Sequence, residues 1–146
     1  MSIFNGKIDE STLIVGCGRL GASLANIFSE KEENVLIIDN SKDSFRKLSP
    51  SFTGLTIVGN AIDFNVLKEA QIDKVTTIIC VTDNDSTNIM TAQIAKSMYH
   101  VENVIIRLYD PERACTYQDM GFETILPAIL STAEITKRLD KKRGIL

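Results

Sequence analysis

The chain has 146 residues, a formal net charge of -3, and hydrophobic and charged fractions of 44% and 24%. That length and balance suit one globular domain with a real core, and the mild acidity excludes nucleic-acid binding driven by bulk charge. No apolar run is long enough to span a bilayer, and Met1 to Lys7 lacks the regions of a signal peptide, so neither membrane insertion nor secretion is expected.

Strand-like and helix-like segments alternate along the chain. Thr12–Val15 reads as a buried strand, followed by Gly16-Cys17-Gly18-Arg19-Leu20-Gly21 and a helix over Leu20–Lys31. Asn34–Ile38 is a second strand and Lys42–Leu48 a short helix ended by Pro50. Leu55–Val58 is the third strand, with a helix over Phe64–Ala70. Thr76–Val81 is the fourth, followed by a helix over Thr87–Tyr99 capped by Asp85 or Ser86. Val104–Leu108 is the fifth, with a helix over Pro111–Met120 that starts on proline. Thr124–Leu126 is the sixth, and Ala128–Lys142 the last helix. The expected fold class is α/β: a Rossmann-like, doubly wound, six-stranded parallel sheet of order 3-2-1-4-5-6.

The glycine segment carries chemistry because of its context. It leaves a strand, opens a helix, and is followed about 20 residues later by an acidic residue, Asp39, at the end of the next strand. Gly16 permits the tight turn, Gly18 lets backbone N–H groups approach a pyrophosphate, and Gly21 lets the helix pack close to the sheet. The helix start then favours an anion. In such sheets ligands bind at the carboxyl edge, where strand order reverses. The second strand delivers Asp39 and Asn40 there, the third Asn60 and Ala61, the fourth Thr82 and Asp83. Asp39 suits the ribose hydroxyls of an adenosine and opposes a 2′-phosphate. Asn60 suits an adenine edge, Thr82 and Asp83 a second ribose or terminal phosphates, and Arg19 a phosphate. For Asn60 and Asp83, turn formation is an equal reading.

Three cysteines and one histidine form no disulfide framework or zinc spacing, so no metal is expected and the thiols read as free. Cys17 sits where a helix N-terminus lowers a thiol pKa, and reads as a small filler of the glycine turn. His100 reads as a surface residue. The cations Lys137, Arg138, Lys141, Lys142 and Arg143 read as a solvated helix end.

Together the glycine segment, Asp39, Gly59-Asn60-Ala61, Thr82-Asp83-Asn84-Asp85-Ser86-Thr87-Asn88 and Arg107-Leu108-Tyr109-Asp110-Pro111-Glu112 resemble the RCK domain, regulator of potassium conductance, also called the TrkA N-terminal or KTN domain. The resemblance runs from about Thr12 into the last helix. It implies residues 1–11 as a tail, 12–127 as the nucleotide-binding domain and 128–146 as a crossover helix; most such domains continue into a smaller C-terminal lobe, and here no C-terminal RCK lobe is expected within the sequence. It implies a non-enzymatic, cytoplasmic regulatory subunit of a potassium uptake system, held at the inner face of the membrane by a membrane potassium-translocating subunit. The ligand implied is NAD(H) or ATP, ADP or AMP, with Arg107 joining the site. It also implies a homo-oligomer: a dimer, or a ring of up to eight domains. Ile129, Leu130, Ala133, Thr136 and Leu139 make a stripe suited to a partner surface or to the domain's own sheet. Ala128 stands where some relatives carry a glutamate, so no divalent-ion site is expected. The alternative is the cofactor domain of an NAD-dependent oxidoreductase, but no substrate domain or well-placed acid or base accompanies it.

Overall fold

The computed structural model describes residues 10–145; most of the expected N-terminal tail lies outside them. Its strands are β1 (Ser11–Val15), β2 (Asn34–Asp39), β3 (Leu55–Val58), β4 (Thr77–Cys80), β5 (Asn103–Arg107) and β6 (Glu123–Ile125). All pair in parallel, in the order β3-β2-β1-β4-β5-β6. The doubly wound sheet is as expected, and it reverses between β1 and β4.

The helices are α1 (Arg19–Glu30), α2 (Phe64–Glu69), α3 (Asp85–Tyr99), α4 (Pro111–Tyr117) and α5 (Pro127–Lys142). Strand alternation sorts the core into two layers. On β1, Leu13 and Val15 face a cluster with Leu67 of α2, Ala92 and Ala95 of α3 and Ala114 of α4. Ile14 faces the other way, onto Ala22 and Ala25 of α1, with Phe45, Leu48 and Phe52 packed alongside. Both faces are covered, which is why the central strands are continuous Val, Ile and Leu rather than alternating.

Local boundaries differ from the sequence expectation for identifiable reasons. Residues Lys42–Lys47 form a 3-10 helix, and the chain is already extended at Leu48 (φ -72°, ψ 143°), ahead of Pro50. The cap of α3 is Asn84, not Asp85 or Ser86: its side-chain oxygen accepts from Thr87 N at 2.9 Å. Asp85 is drawn elsewhere, accepting from the N–H groups of Tyr109 and Asp110 at 2.9 and 3.1 Å. After Tyr117 the expected single helix tightens into a 3-10 turn, Gln118–Met120, closed by Gly121 at φ +83°. His100 ends α3 in the left-handed conformation, φ 53°.

Candidate functional site

The carboxyl ends of β1 to β5 enclose a crevice of about 890 Å3, within the volume range of about 300–1,000 Å3 usual for ligand sites. Its floor is the glycine turn. Gly16 takes φ +107°, and a Cβ there would meet Thr82 N at 2.8 Å and Val81 O at 2.9 Å. The turn therefore approaches the end of β4 closely, and only glycine fits. At Gly21 an added Cβ would collide with the carbonyl of Gly16, while Ile14 of the sheet stays at an ordinary 3.5 Å. This corrects one expectation: Gly21 is needed by the loop itself, more than by helix–sheet packing. Gly21 alone of the expected site residues does not line the crevice.

Gly18 differs from both. A Cβ there would meet nothing within 4 Å, so the protein leaves the space above it open. Gly18 is also the N-cap of α1 and supplies no side-chain hydrogen bond. The first-turn N–H groups thus lack a side-chain acceptor, next to open space and at the positive end of a helix.

Asp39 closes the adjoining wall. One carboxylate oxygen accepts from Cys17 N and the other from Ser41 N, both at 2.8 Å. The carboxylate thereby clasps the glycine turn to the end of β2. Each oxygen retains a lone pair. The 3-10 segment adds a second clasp. The Cys17 thiol donates to Ser44 O at 3.4 Å, and the Lys47 ammonium donates to Cys17 O at 3.4 Å. Cys17 is fully buried, and its pKa is raised, first by burial and then by the Asp39 carboxylate, with Lys47 opposing. The expected lowering at the helix N-terminus is overturned, because desolvation and a like charge outweigh the helix end.

The third and fourth walls bring the remaining candidates together. Asn60, Ala61, Thr82, Asp83 and Arg107 all line the crevice with Asn40, Arg19 and Leu20. The Asn60 side-chain oxygen accepts from Ile62 N at 3.1 Å; its amide nitrogen faces no such demand. Arg107 donates through one terminal nitrogen to Val81 O and Thr82 O, at 3.0 and 3.2 Å, and lies 4.8 Å from the centre of the Tyr109 ring. Its buried Nε has no partner. The ion pairs among the described residues, Arg46–Asp43 and Arg138–Glu134, leave Arg107 and Arg19 without a carboxylate.

Sequence reasoning missed Lys47 and Tyr109, which line the crevice. Lys47 carried no signal, since a lysine on a short helix looks solvated. Asn88 was legible: it shares the helix face of Thr91, Ala92 and Ala95, all buried, and a polar side chain on such a face needs a partner.

Residues 12–127 match the family model described as the TrkA-N domain. The chain belongs to the TrkA-N family. This TrkA-N chain is 37% identical over 127 residues to the Trk system potassium uptake protein TrkA of Streptomyces coelicolor, covering 87% of its own length and 57% of that relative's. Among solved structures, the GsuK channel bound to NAD superposes with a TM-score of 0.78 at 24% identity, over 93% of this chain and 24% of that one. GsuK bound to ADP superposes at 0.77 and 24% identity, over 92% and 35%. At that identity the likeness speaks for the fold. The TrkA-N chain spans little more than half of its Streptomyces relative. Among the described residues no helix is long and apolar enough to cross a membrane, and no cluster of side chains forms a metal site.

Proposed function

We propose that this TrkA-N chain is the nucleotide-binding part of a cytoplasmic regulatory subunit of a potassium uptake system. Its ligand is an adenine nucleotide, NAD(H) or one of ATP, ADP and AMP, and its partner is a membrane potassium-translocating subunit. The observation that carries this is the open space over Gly18, bounded by the bare start of α1 and by Asp39. A phosphate in that space takes the first-turn N–H groups, while Asp39 accepts from a ribose through its spare lone pairs. Asn60 offers its amide to the adenine, and Arg19 and Arg107 offer unpaired positive charge to phosphates. GsuK, similar in fold, is known bound to NAD and to ADP, and kinship to a potassium uptake protein supports the transport role.

The site does regulatory work rather than chemistry. A nucleotide biases a gating subunit only if it prefers one arrangement of the assembly over another. Calorimetric titration with NADH, NAD, ATP, ADP and AMP tests the binding, and an NADH oxidation assay runs beside it. Binding without turnover is expected. No binding to any of the five would sink the nucleotide reading, and catalytic NADH oxidation would replace the regulator with an oxidoreductase.

A further inference from the structure

Asn88 lies on α3 and is wholly buried, at 0% exposure. Its carboxamide is saturated. The oxygen accepts from Thr82 N at 2.9 Å and Thr82 Oγ1 at 2.6 Å. The nitrogen donates to Thr82 O at 3.1 Å and Arg107 O at 2.9 Å. Two acceptor sites and two N–H groups are all an amide has. Arg107 completes a ring of bonds by donating its guanidinium to Thr82 O at 3.2 Å. One side chain thus meets all three polar groups of Thr82, whose hydroxyl also contacts the main chain of Asn84, and the carbonyl of Arg107.

We infer that Asn88 is a positioning residue for the half of the crevice formed by the ends of β4 and β5, where it sets affinity for the part of a dinucleotide that extends beyond the first phosphate. The inference rests on the nucleotide reading above. Asn88 does not line the crevice, whereas Thr82 and Arg107 do, so it acts through them. The adenosine half has its own supports in the Asp39 clasp and the bare start of α1; the glycine turn meets the end of β4 at Gly16. Without Asn88, the end of β4 has buried amide and carbonyl groups to satisfy. Thr82 and Arg107 then relax toward whatever partners they can find. Ligand binding must next pay for ordering them.

The two halves respond differently, which gives the test. AMP and NAD share the adenosine monophosphate portion, and only NAD extends over β4 and β5. Calorimetry of the full chain, as wild type, Asn88→Ala and Asn88→Asp, should show NAD affinity falling about tenfold or more, as for one lost buried hydrogen bond. AMP affinity should fall less, by no more than about threefold, because the Asp39 clasp and the start of α1 make no bond to Asn88. Asn88→Asp keeps both acceptor contacts to Thr82 and loses both donors. It decides alone if the alanine variant does not fold. Amide hydrogen exchange at Thr82 is the second readout, with protection in wild type and its loss in Asn88→Ala. Parallel losses for AMP and NAD would overturn the inference by making Asn88 a general structural residue. So would an unchanged NAD affinity. In both cases the nucleotide reading stands; a wild type that binds neither ligand overturns both.

Discussion

The Asp39 carboxylate does two things at once, and its replacement should show both. It holds the glycine turn through Cys17 N and orders the start of the next segment through Ser41 N. Asp39→Ala should weaken NAD and AMP binding by about 1–3 kcal/mol, the scale of a charge-assisted hydrogen bond. Calorimetry measures this, and unchanged affinity would remove Asp39 from the ligand site. In the wild type, NADP should bind more weakly than NAD, because its 2′-phosphate meets that carboxylate; equal affinities would refute the ribose assignment. The cysteines give a test independent of ligands. Cys115 is exposed, while Cys17 and Cys80 are buried. A thiol reagent should label one site quickly in the native protein and all three only on unfolding. Burial raises the pKa of both Cys17 and Cys80 above the ordinary thiol value of 9.0. The unfolded chain therefore loses these protons first as pH rises. Folding stability should be intact below about pH 9 and decline above it. Denaturant unfolding at a series of alkaline pH values reads the slope, and a rise in stability there would contradict it.

At the scale of elements, α5 is the anomaly. None of its residues is buried, and Ile129, Leu130, Ile135 and Leu139 are about half exposed, at 50%, 57%, 59% and 43%. The stripe is exposed rather than packed on the domain's own sheet, and Ile135 is exposed as well. With no buried residue, α5 gains little from its own domain, and the proposed assembly would cover it with a partner surface. Replacing Ile129 and Leu130 together with glutamate should yield monomers in light scattering, because the contact would have to bury unpaired charge. If wild type and variant have the same mass at every concentration, the helix is not the assembly surface. The basic residues at its end are exposed, as read, and Arg138 pairs with Glu134 one turn back at 2.7 Å. Such a pair is worth only about 0.3–0.5 kcal/mol.

At the scale of the whole molecule, the proposed regulation requires that an occupied crevice reach another subunit. Arg19 is the first residue of α1, exposed, at the rim of the crevice and without a carboxylate partner among the described residues. An unpaired guanidinium there can meet the phosphates of its own site or of a neighbour's. Arg19→Ala should fold normally, since the side chain packs against little. It should lose either the discrimination among nucleotides or their effect on oligomer size. Light scattering with and without ATP and NADH, run on both proteins, separates these outcomes. A wild type that remains monomeric in every nucleotide would leave a binding module without a gating assembly.

The elements and their order were legible because they rest on local rules. Runs of Val, Ile and Leu predict buried parallel strands, a 3.6-residue period predicts helices, and right-handed crossovers leave little choice of topology. The glycine turn and Asp39 were legible for the same reason, since a strand, a turn and a helix N-terminus are neighbours in sequence. Tertiary structure decided what joins distant segments. The grip of Asp39 on Cys17 spans 22 positions and that of Lys47 spans 30. Asn88 reaches Arg107 across 19. No periodicity encodes these bonds, which exist only once the sheet brings the strand ends together. The direction of the Cys17 pKa belongs here too. A helix start lowers it, but burial and the neighbouring carboxylate raise it further, and only the packed structure sets which of these prevails.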